Sequence, residues 1–124
     1  MRNSVLVPLV MATGAVLAIG CAPKNVSFSK EVQPILAQNC SECHAPGKQG
    51  FEASGLDTTS HAALMKGGKF GAIVKPGDAF TSALNMLVEG RVDKSIRMPH
   101  GRKKLSDDEI AILKTWVNEG AKNN

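Results

Sequence analysis

Apolar positions recur at helical spacing most clearly near the end of the chain. Ile110, Leu113, Trp116 and Val117 fall on one face, with charged and polar residues between them. The residues just before them have the form of a helix start. Ser106-Asp107-Asp108-Glu109 makes a capping box, and Leu105 and Ile110 stand where a hydrophobic staple closes. The three acidic residues suit the positive end of the helix dipole, and Gly120 stops the pattern. A shorter stripe of Val32, Ile35, Leu36 and Asn39 predicts a first helix from Lys30 to about Asn39. Ser29 is its expected cap, and Pro34 makes its first turn irregular. Packing the two stripes across each other would close a small fold, with Trp116 in the core.

The middle of the chain is patterned more coarsely. Thr59 or Ser60 can begin a short helix that reaches Lys66 and is stopped by Gly67-Gly68. Asp78 or Ser82 can begin another that runs to Glu89 before Gly90, with Leu84, Leu87 and Val88 turned inward. The stretch from Gly71 to Gly77 reads as loop, anchored by Ile73 and Val74. No alternating strand pattern and no internal repeat interrupts this, so the expected class is all-α with long loops.

Residues 1–20 carry a different pattern. Arg2 precedes a nearly unbroken apolar run from Val5 to Ile19 that ends in small residues, the layout of an export signal. The run is shorter than the roughly 18 residues of a spanning helix, which favours a removed signal over a retained anchor. Ala18-Ile19-Gly20-Cys21 resembles the bacterial lipoprotein box, although Leu17 lies four residues before the cysteine rather than three. An ordinary signal-peptidase site using Ala18 and Gly20 would leave Cys21 incidental. We expect Cys21 to be the lipidated N-terminus, residues 21–28 a short tether and residues 29–121 the domain. That places the protein on the periplasmic side, anchored to a membrane.

Cys40-Ser41-Glu42-Cys43-His44 adds the chemistry. C-x-x-C-H is the spacing of a covalent c-type haem attachment site. Each thiol can form a thioether with one porphyrin vinyl group, and the imidazole that follows can ligate the iron. A zinc site would need further ligands at close spacing, and His44, His61 and His100 are too scattered to supply them. A thioredoxin-like dithiol needs a βαβ context that is missing here. A structural disulfide would leave His44 unexplained. Met98, in Arg97-Met98-Pro99-His100, stands downstream where a second axial ligand is wanted. Of three cysteines two are used by haem, and a leftover thiol in an oxidising space would be a liability that lipidation of Cys21 removes.

Composition and charge fit a small cofactor-dependent domain. Four Phe, one Trp and no Tyr make a thin aromatic inventory, so a buried porphyrin would supply the missing apolar body. The protein without it is expected to be largely unfolded. The net charge of +4 arises from dispersed basic residues without aromatic interleaving, which excludes a nucleic-acid footprint. Arg102-Lys103-Lys104, with Arg97 nearby, follows Met98 directly. It is either a solvated loop or a cationic rim that steers an acidic redox partner.

C-x-x-C-H after an N-terminal helix, a loop-rich middle, Met-Pro and a C-terminal helix together resemble a class I monohaem cytochrome c. The Planctomycete-type cytochrome c domain is the closer likeness. It is carried by Val32-Gln33-Pro34-Ile35-Leu36, Cys40 to His44, Ser54-Gly55-Leu56-Asp57, Pro76-Gly77-Asp78, Met98-Pro99 and Leu105-Ser106-x-x-Glu109. The resemblance implies Cys40 and Cys43 as thioether attachments of one haem c, His44 as proximal ligand and Met98 as distal ligand. Met65, Met86, His61 and His100 are rivals for the distal position, and His100 shares the Met98 loop. The implied activity is one-electron transfer to protein partners, with no small-molecule substrate and no enzymatic step. The alternative is a haem domain with a labile distal ligand, acting as a peroxidase-like enzyme or a redox or gas sensor.

Overall fold

Ser27, not Ser29, opens the first helical segment. Its hydroxyl accepts from the Lys30 amide at 3.3 Å, while the Glu31 carboxylate accepts from the Ser27 amide at 2.9 Å. That reciprocal cap spans four residues rather than three, which suits a wider turn. Phe28–Val32 is indeed π-helical, with the Val32 amide donating to Ser27 O at 3.3 Å. The helix α1 (Gln33–Asn39) continues from it, with Pro34 in its first turn. The Ser29 amide instead donates to Asn124 O at 2.9 Å.

The computed structural model describes residues 25–124. The expected signal, Cys21 and the first part of the tether lie outside the described residues. The packed core begins at Val26 and Phe28, which the expected tether contained; each is 2% exposed. The Val26 amide donates to Glu119 Oε2 at 2.8 Å, and Asn124 Oδ1 accepts from the Phe28 amide at 2.8 Å. Packing therefore reaches beyond both expected limits, residues 29 and 121.

The last helix, α5 (Asp107–Asn118), forms as its cap requires. The Glu109 amide donates to Ser106 Oγ at 3.2 Å, and the Ser106 amide donates to Glu109 Oε2 at 2.8 Å. Leu113, Trp116 and Val117 are fully buried and pack on the Phe28–Val32 turn. The Phe28 and Trp116 rings meet at 5.5 Å. The N- and C-terminal segments thus close on each other as the two stripes required.

Three short helices lie between. These are α2 (Gln49–Ser54), α3 (His61–Lys66) and α4 (Ala83–Glu89), followed by a 3-10 turn at Lys94–Ile96. Ser60 caps α3 through the Ala63 amide, as expected. Ser82 stands at the start of α4, but its hydroxyl serves the preceding loop, accepting from the Lys75 amide and donating to Asp78 O. Helix α2 and the 3-10 turn were not expected. Apart from an isolated Gly68–Gly71 bridge, the described residues form no strand, so the fold is all-α. No helix among the described residues is long and apolar enough to cross a membrane.

Candidate functional site

The attachment motif is the frayed end of α1. The Cys40 amide still closes on Leu36 O at 2.8 Å, and the chain then turns so that the His44 amide donates to Cys40 O at 2.8 Å. Thr58, itself 2% exposed, clasps this turn from across the site. Its amide and its hydroxyl both donate to His44 O, at 2.9 and 3.1 Å, and the hydroxyl also meets Ser41 Oγ at 3.0 Å. Replacing Thr58 by Val should lower the unfolding free energy by about 1–2 kcal/mol, because buried partners lose a donor while the shape is kept. Denaturant unfolding of the haem-loaded protein measures it.

A cavity of about 370 Å³ opens between this turn and the loop that follows α4. Cys40, Cys43 and His44 line it, and so do Met98, Pro99 and His100 from the loop. Leu56, Ile73, Leu84, Leu87 and Val88 form apolar wall. The Met98–Pro99 peptide is cis, and the Met98 amide is fixed to Leu87 O at 3.3 Å. Cys43 is exposed at the rim, while Cys40 lies half-buried. Burial raises the Cys40 thiol to about 11, with the nearby Arg102 cation opposing it. The thiol is therefore protonated and uncharged at neutral pH. His44 is lowered from the ordinary histidine value, first by burial, with a backbone hydrogen bond at Leu56 pulling the other way.

Helix α2 packs under the imidazole. Gly50 permits this approach, since a Cβ there would stand 2.8 Å from Cys43 O and 3.0 Å from His44 Cε1. The Phe51 amide donates to Cys43 O at 3.0 Å, tying the helix to the motif. Nothing in the hydrophobic pattern marks α2, although the glycine placed six residues after His44 is a signal for close backbone approach.

The structure thus gathers the four expected site residues, Cys40, Cys43, His44 and Met98, around one hollow. Of the rival ligands only His100 joins them. Met65 packs against the core, and His61 Nε2 lies 2.8 Å from Ala121 O, with its ring edge-on to Phe28. Met86 is half-buried on α4 and does not line the cavity. Ile73, expected to anchor a loop, is part of the wall, as is Leu56.

Two thiols, one imidazole and one thioether on an apolar-walled cavity are the donor set of a c-type haem, and the residues fit that group. Among the described residues, no three His, Cys, Asp or Glu side chains converge to hold a bare metal ion. The family model for Planctomycete cytochrome C matches residues 40–100, from the first motif thiol to the histidine beyond Met98. No curated protein and no solved structure matches the chain. Over residues 40–100 the chain is thus similar to the Planctomycete cytochrome c family.

Proposed function

We propose that this chain carries one haem c, bound by thioethers to Cys40 and Cys43 with His44 and Met98 as axial ligands. It serves as a one-electron carrier rather than an enzyme. When bound, the group supplies Fe(III)/Fe(II) exchange. The convergence of both cysteines, His44 and Met98 on one cavity carries this reading. A thioether sulfur favours the ferrous state, and the apolar wall of Leu56, Ile73, Leu84, Leu87 and Val88 disfavours the extra charge of the ferric state. Both effects raise the potential. With both axial positions taken by protein donors, the iron would keep no position for substrate. Exposure of Cys43 supports electron passage at that edge.

Export and a lipid anchor on Cys21 are supported by the apolar run of residues 5–19 and by the cysteine count. Arg102 borders the cavity, and Arg97 and Lys104 border a hollow beside it, which supports an acidic protein as redox partner. His100 on the same cavity supports a second reading, in which the distal bond is labile or made by imidazole. Absorption spectra of the mature oxidised and reduced protein test both. The pyridine derivative reports covalent haem, and the weak near-infrared band reports Met–iron bonding. Low-spin spectra without that band would sink the Met98 assignment and favour His100.

A further inference from the structure

Gly67-Gly68-Lys69-Phe70-Gly71 forms a closed turn after α3. The Gly68 amide donates to Gly71 O at 3.1 Å, and the Gly71 amide donates to Gly68 O at 3.0 Å. A Cβ on Gly67 would stand 2.3 Å from Gly71 O, and one on Gly68 would stand 2.3 Å from Ser54 O. The Lys69 amide donates to Ser54 O at 2.7 Å and its ammonium to Ala53 O at 3.4 Å, which locks the turn onto the end of α2. Phe70 alone has no part in this closure and is 90% exposed. Phe80, the other exposed aromatic, has the Arg91 guanidinium 4.9 Å from its ring. A large apolar ring held out on an ordered turn adds nothing to the fold and costs little further ordering when covered.

Charge and position point to what covers it. From His61 to Gly77 the chain has three lysines and no carboxylate. Lys75 pairs with Asp78 at 3.2 Å, while Lys66 and Lys69 are exposed on either side of the glycines. The turn also lies near the start of the packed chain. Helix α3 begins at His61, whose ring meets Phe28 at 4.9 Å, and its six residues span about 9 Å before the turn. Cys21 stands four residues before Asn25, a reach of at most about 14 Å. An acyl group on Cys21 would hold the domain against lipid headgroups with the Phe70 turn close by.

We propose that this turn is a second membrane contact: the Phe70 ring enters the interface of an anionic phospholipid surface, and Lys66 and Lys69 attract the headgroup phosphates. This rests on the lipid anchor read at Cys21. Apolar burial and attraction of cations to anionic lipid act together in such contacts. Tether and turn would fix the orientation of the haem domain, which a tether alone leaves free to swing.

The test uses the haem-loaded mature chain with Cys21→Ser, exported behind a cleavable leader that adds no lipid, and vesicles of phosphatidylglycerol or phosphatidylcholine. Binding to the anionic vesicles should fall about tenfold in Phe70→Ser and stay within about twofold of the parent in Phe80→Ser. Phosphatidylcholine vesicles should bind the parent at least about fivefold more weakly. Thermal unfolding of Phe70→Ser should match the parent, so that lost binding is not lost structure. Equal binding by parent and Phe70→Ser overturns the inference, and so does an equal loss in Phe80→Ser or binding that ignores lipid charge. A parent that binds neither vesicle also overturns it and leaves the ring to a pocket on a partner protein. A concentration-dependent dimer dissolved by Phe70→Ser overturns it in favour of a second copy. Intact mass of the wild-type chain from membranes reports the lipid on Cys21 separately. Wild type without that lipid, with vesicle binding that still needs Phe70, would end the anchor reading and leave the membrane contact standing.

Discussion

Protein in which Cys40 and Cys43 are both replaced by alanine should leave a maturation-competent host with the bare peptide mass and no cooperative thermal transition. The size of this effect follows from the cavity. At about 24 cal/mol per Å³, an unfilled cavity of about 370 Å³ costs up to roughly 9 kcal/mol. The mouth admits water, so that figure is an upper bound. It still compares with the whole stability of a small domain, about 5–15 kcal/mol. The remaining core has little to offset it. Phe70 and Phe80 are 90% and 74% exposed, so the large buried aromatics are Phe28 and Trp116 alone among the described residues. Circular dichroism melts and intact mass on the same preparation check the outcome. A haem-free variant with a sharp transition would show that the polypeptide closes its own core.

Replacing Met98 by alanine should abolish the near-infrared band, let carbon monoxide bind the reduced protein and lower the potential by roughly 0.2 V or more. Axial-ligand identity governs a span of about 0.8 V, and thioether ligation lies toward its upper end. The loop should otherwise keep its place. The Met98 amide is tied to Leu87 O through backbone, and Arg97 packs against Gly90, neither of which needs the methionine side chain. Infrared detection of bound carbon monoxide distinguishes an open position from one taken over by His100. An unaltered spectrum in Met98→Ala would remove this residue from the iron altogether.

The two ends of the domain were readable from residues because their signals are local. The capping box of α5 needs only Ser106 and Glu109, and its apolar stripe is long enough to average out exceptions. The cap of the first segment was misread because two serines compete. Ser27 wins through Glu31, four residues on, a spacing that fits a π turn and no standard box. Helix α2 escaped for another reason. Its six residues, Gln49 to Ser54, have no stripe, contain a glycine and follow Lys48, which makes no side-chain cap. Tertiary bonds hold it, from the Phe51 amide to Cys43 O and from the Lys69 amide to Ser54 O. The motif C-x-x-C-H announced a cofactor site, but its support by Thr58 and Gly50 depends on chain segments meeting in space. No spacing rule discloses those contacts.

Arg102 and Glu42 form an ion pair sixty residues apart in sequence, one from the methionine loop and one from inside the attachment motif. The pair ties together the two walls that face each other over the cofactor. Both side chains are well exposed, at 43% and 69%, so counter-ions can compete for them. Raising ionic strength should therefore quicken the entry of imidazole into the oxidised protein, by no more than about fivefold, the reach of an exposed pair. Stopped-flow mixing in dilute and concentrated salt reads it directly, and Glu42→Gln should flatten the dependence. The salt content of the surrounding medium would thus set how firmly this site stays shut.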